Sequence, residues 1–187
     1  MTESASEQAG QQPFYMIPEG QGVRFIQEIG GKSADQLEAE VKATGRAVTI
    51  YASDMLHSPK FEVLEKVTPQ ELLKAPVRAY GLPGNPTTRE LLERIPKCRY
   101  GEGYALELPR AEVGPHMAIA DKDQAKDDYY DVMHEPITGR YGRPYVFGVG
   151  HGSNGRFLSG WWASPARRWN PDAQLVVALR KIEPVKS

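Results

Sequence analysis

The chain has 187 residues, 40% of them hydrophobic and 25% charged, a balance that supports a packed core and argues against global disorder. Its single cysteine, Cys98, excludes an internal disulfide and fits a reducing compartment, so a cytoplasmic setting is expected. The first residues carry neither the basic start nor the apolar run of a secretory signal, and no stretch is long and apolar enough for a membrane span.

Residues 1–12 have nothing large and apolar to bury and read as a disordered tail, which leaves 13–187 as one domain. The run from Val23 to Ile29 reads as a strand closed by two turn glycines. Ser33 and Gln36 have the spacing of a capping box, so a helix is expected from there to Gly45, with Leu37 and Val41 on its buried stripe. Residues 47–51 are β-branched and aromatic and predict a strand; the partial alternation of 61–67 predicts another. Thr68-Pro69-Gln70-Glu71 places a capping hydroxyl, a proline and a reaching carboxylate in helix-start order, so a short helix is expected before Pro76. Thr87 and Glu90 repeat the capping box for a helix that Pro96 closes. Residues 104–108 alternate as a strand and 116–120 read as a further one. The charged stretch 121–134 reads as a helix with Tyr130 and Met133 on its apolar side.

Three strands are expected at 144–149, 156–162 and 174–182, joined by a glycine-rich turn and a proline-containing loop, an order that predicts an antiparallel meander. The turn residues 150–155 match G-x-G-x-x-G, but a strand follows where a dinucleotide site needs a helix, so the run reads as a hairpin turn. The expected fold is α+β: short helices in the N-terminal two-thirds packed on a largely antiparallel sheet that ends in the three-strand meander.

Two constellations carry chemistry. A helix over 121–134 aligns Asp127, Asp131 and His134 on one face, with Glu135 and His151 as further neighbours. Carboxylate beside imidazole binds divalent metal or pairs a general acid with a base, which points to a metal-assisted hydrolase with Asp131, His134 and Glu135 as candidate ligands. The same residues also describe a solvated acidic helix face; His-Glu-x-x-His is absent, and no cofactor is indicated. Cys98 lies between Lys97 and Arg99, which would lower its pKa and raise its reactivity.

The second constellation is more distinctive. All three tryptophans, Trp161, Trp162 and Trp169, fall within nine residues, among Arg156, Arg167 and Arg168. From Pro136 onward the chain carries a net +6, against −7 for residues 1–135, so the charge balance shifts near 136. Successive residues on a strand face opposite sides, so one of Trp161 and Trp162 is expected at a surface. Indole and guanidinium groups anchor protein interfaces and also stack on unpaired bases and pair with phosphate. No known RNA-module motif accompanies them, so a protein partner is favoured over nucleic acid. The plain alternative buries the rings and pairs the arginines with the protein's own acids. The leading expectation is a non-enzymatic binding or accessory protein that uses these six residues on a protein or anionic partner. The metal-assisted hydrolase and a subunit of a larger assembly are the alternatives.

Overall fold

A computed structural model describes residues 14–183, so the expected tail at 1–12 lies outside the described residues. The first elements follow their local signals. β1 (Tyr15–Ile17) and β2 (Val23–Ile29) precede α1 (Ala34–Ala43), whose capping box is formed by Ser33 and Gln36 and whose Leu37 and Val41 are buried. The expected strand at 47–51 is limited to β3 (Ala47–Val48), because Thr49 caps α2 (Ile50–Leu56). Ala52, Met55 and Leu56 are the buried residues of α2, and their spacing of three and four fits a helix better than a pleat.

Four further expectations are corrected. Residues 61–67 form no strand; the backbone N–H of Leu64 donates to the buried carboxylate of Glu112 and its carbonyl accepts from Gly31. The capping signal at Thr68 begins β4 (Thr68–Pro76), not a helix. A helix confined between Pro69 and Pro76 would be too short to hold itself, whereas a strand buries Leu72 in one core and Leu73 in the other. After α3 (Thr88–Arg94, with the expected box), β5 (Cys98–Tyr100) and β6 (Tyr104–Glu107), the strand expected at 116–120 is part of α4 (Val113–Ala120). This helix is buried on nearly every side, so its sequence shows no periodicity, and Gly114 lets it press against Phe147. The helix expected over 121–134 is instead a set of turns followed by β7 (Tyr129–Val132). Asp127 takes a left-handed φ of +67°, and Tyr130 and Val132 alternate inward with period two.

β8 (Ile137–Thr138), β9 (Pro144–Gly152), β10 (Gly155–Trp162) and β11 (Gln174–Lys181) complete the order. The expected hairpin is present, with Gly155 at φ +109° closing the turn after Ser153-Asn154. The meander is not: β11 does not pair with β10. It inserts between β4 on one side and β7 and β6 on the other, so that Ala178 is opposite both Leu72 and Glu107. Trp169 and its loop carry the chain across, through N–H bonds from Thr88 to Arg167, from Arg89 to Pro165 and from Trp169 to Pro86.

The result is an α+β arrangement of four short helices and an eleven-stranded mixed sheet among the described residues, ordered β1-β5-β6-β11-β7-β9-β10-β3, with β4 and β2 branching from β11 and β8 on β9. Strands from before and after residue 136 therefore interleave. One core lies under α1, α2 and α4 and includes Met55, Leu72, Tyr130, Phe147 and Leu158. The other includes Leu73, Tyr80, Leu91, Val146 and Trp169. No helix of the described residues is long and apolar enough to cross a membrane.

Candidate functional site

Alternate residues of β9 have no side chain: Gly148, Gly150 and Gly152 put a bare backbone strip on one face of the sheet. Rings from both neighbouring strands lie on it. A Cβ at Gly148 would fall 1.9 Å from Nε1 of Trp161, and one at Gly150 would fall 2.4 Å from Phe157 and 2.6 Å from Tyr129. The register explains this, since Gly150 is opposite both Tyr129 and Phe157, and Gly148 is opposite Asp131 and Ser159. Tyr129, Phe157 and Trp161 form a line of rings with centroids 6.1 and 6.2 Å apart. Their outer sides are open: Tyr129 is 46% exposed and Trp161 39%.

Asp131 sits among these rings, its Oδ1 2.8 Å from the Cβ position of Gly148. The influences on its carboxyl are burial and the charge of Arg167. Burial pushes its pKa up to about 7, against the opposing pull of Arg167. Arg167 comes from the loop after β10. Its guanidinium lies 4.2 Å over the Trp169 ring and donates to the carbonyl of Trp162. Burial lowers its pKa, and the nearby Asp131 charge counters that. On the opposite side of β10, Trp162 is 48% exposed, with Arg143 5.8 Å from its ring centre.

The six expected binding residues thus divide. Trp161, Trp162 and Arg168 are exposed, and Arg167 is half-buried. Trp169 is buried and donates from Nε1 to Thr88 Oγ1 at 2.8 Å, so it anchors the loop. Arg156 donates to the carbonyls of Lys122 and Thr44, and Arg168 to that of Asn85. These guanidinium groups satisfy turn carbonyls that no ladder reaches, rather than the protein's own acids.

The acid–imidazole group does not assemble, because the helix that would align it is absent. Asp131 faces the ring-covered surface. His134 is buried, its Nδ1 donating to the carbonyl of Glu135 and its Nε2 accepting from the N–H of Phe147. Burial lowers its pKa to about 4, which keeps it neutral. Glu135 and His134 both line a hollow of about 360 Å³ with Lys60 and Arg110, away from Asp131, and both His134 ring nitrogens are already engaged by backbone groups. Asp127 and Asp128 exchange backbone hydrogen bonds with His151, whose Nδ1 bonds the carbonyl of Gln124. Among the described residues no three His, Cys, Asp or Glu side chains come close enough to hold a metal ion. Cys98 is buried, and its thiol is pushed up to about 11 because burial outweighs Arg94 and Arg99, so the expected reactivity is reversed.

Sequence reasoning missed Tyr129, Phe157 and the glycine strip, although glycine at 148, 150 and 152 inside an apolar run is a period-two signal for a bare sheet face. It also missed Arg46, a buried cation that donates to the carbonyls of Ala118 and Asp121 and to Gln124, and the buried Glu112 beside His116. Comparison with protein-family models, curated proteins and solved structures gives no match.

Proposed function

We propose that this chain is a non-enzymatic binding protein that holds a peptide segment of a protein partner on the Tyr129–Phe157–Trp161 face, with Arg167 receiving acidic side chains. The observation that carries this reading is Trp161, laid over the glycine strip yet open on its outer side, with Asp131 and Arg167 beside it. Half-exposed rings next to guanidinium groups have the composition of interface anchors. A carboxyl near pKa 7 adds a group that both donates and accepts at neutral pH, which suits a peptide backbone offering N–H and C=O. Nucleic acid is the weaker reading, because no known RNA-module motif accompanies these rings.

The test is fluorescence anisotropy with two labelled probes, a short peptide alternating Phe or Trp with Asp and Glu, and oligo-dT of about 15 nucleotides. The peptide is expected to bind, with Trp161→Ala and Arg167→Ala each weakening it by about tenfold or more. Equal affinity for wild type and Trp161→Ala removes the proposal, and Trp161-dependent binding of oligo-dT alone replaces it with a nucleic-acid function.

A further inference from the structure

β2 is an outer strand. It pairs with β4 along all seven residues, Val23 opposite Lys74 through Ile29 opposite Thr68, and no strand pairs with its other side among the described residues. An open edge of this length is a template for further pairing, which proteins usually block with lysine, proline, a bulge or a covering segment. β2 has the sequence VRFIQEI, with neither lysine nor proline, and its Val23 and Ile26 are 62% and 64% exposed.

The charges indicate what covers the edge. Arg24, Ile26 and Glu28 lie on one face and are all exposed, while Phe25 and Gln27 lie on the other. A two-fold axis normal to the sheet pairs such a strand with its own copy, keeping each face on its own side. Centred on Ile26, this pairing places Arg24 opposite Glu28 of the second copy twice over, Ile26 opposite itself and Phe25 opposite Gln27. Centring on Arg24 or Glu28 sets like charges opposite one another, and centring on Phe25 or Gln27 leaves both charges without a partner in the strand. Only one register is therefore self-complementary. Arg24 lies on this face, where it donates to the Tyr104 hydroxyl at 2.6 Å on the inner side of the strand, a contact it exchanges for Glu28 of the second copy. Glu28 has no ion pair among the described residues. On the opposite face Phe25 and Gln27 border a hollow of about 310 Å³ with Met117 and Lys74, so the axis sets two such hollows side by side.

We propose that two copies of this chain pair antiparallel through β2 about an axis at Ile26, continuing the sheet from one copy into the other. The inference is independent of the peptide-binding reading, since β2 lies outside the ring-covered face. Light scattering coupled to size exclusion on the full chain is the test, with far-UV circular dichroism as the check on folding. Wild type is expected at twice the 20.8 kDa chain mass at high loading. Arg24→Glu alone and Glu28→Arg alone are each expected at the single-chain mass, because each puts like charges across the axis twice. The double variant R24E/E28R is expected to recover the dimer, and an equimolar mixture of the two single variants is expected to form a mixed dimer through restored opposite pairs. A wild-type chain that stays at the single-chain mass up to about 100 μM overturns the proposal. So does a single variant that remains dimeric, or a folded double variant that stays monomeric.

Discussion

Gly148→Ala puts a methyl group where the indole of Trp161 now lies. The backbone itself has no objection, since Gly148 is not among the glycines with positive φ. The obstacles are two side-chain ends: Nε1 of Trp161 would be 1.9 Å from the new Cβ and Oδ1 of Asp131 2.8 Å, and the ring has further to move. β9 is buried and hydrogen-bonded on both sides, whereas Trp161 is 39% exposed, so the ring leaves and the strand stays. The loss is the edge-to-face contact with Phe157, at 6.2 Å and 77°, together with the surface the ring covers. Such a contact contributes about 0.5–1.5 kcal/mol. Alanine regains about 0.5–1 kcal/mol over glycine inside a strand. The net destabilisation is therefore expected below about 1 kcal/mol, a fall in Tm of no more than about 2–4 °C. In a Trp162→Phe background, acrylamide quenching of the remaining emission should rise, because Trp169 stays buried and only Trp161 moves. Peptide affinity should fall by about tenfold. Unchanged quenching would refute the argument, as would a Tm loss above about 10 °C, which would mean that the glycine strip belongs to the core.

Other outcomes follow from the same residues. Trp169→Ala should cost about 3–5 kcal/mol, far more than Trp161→Ala, as thermal melting of the two variants will reveal. Asp131 has a folded pKa near 7, above its usual 3.8, so the stability it contributes in acid is lost as pH rises through 7; Asp131→Asn should raise Tm at about pH 8 and leave it unchanged at about pH 4. His134 has a folded pKa near 4, below its usual 6.5, so its contribution is present above 6.5 and lost as pH falls toward 4; its imidazole NMR signals should stay flat from about pH 7.5 to 5. Cys98 should resist a thiol reagent at about pH 8 in the native protein and react fully in denaturant.

The sequence was most legible where a local signal and tertiary burial agreed. The capping boxes at Ser33 and Thr87 begin helices because the residues behind them, Leu37 and Val41 in one and Leu91 in the other, have a core to enter. The same signal at Thr68 failed because Leu72 and Leu73 are buried on opposite faces, a demand that only a strand meets. The acidic composition of 121–134 concealed period two in 129–132, and with the helix went the shared face of Asp127, Asp131 and His134. Of the candidate site, strand alternation led to one exposed ring in the pair Trp161 and Trp162, whereas both are exposed, Trp161 over the glycine strip and Trp162 on the opposite face beside Arg143. The partition of the arginines was not legible, because it depends on which turn carbonyls lack a ladder partner, a matter of distant chain crossings.

The most direct measurement of recognition by the ring-covered face is the set of three indole N–H signals in a ¹H–¹⁵N spectrum, followed through addition of the acidic aromatic peptide. Trp161 should shift most, Trp162 less, and Trp169, sealed against Thr88, should hold still. Shifts confined to Trp169, or a bound peptide that leaves all three signals in place, would contradict it.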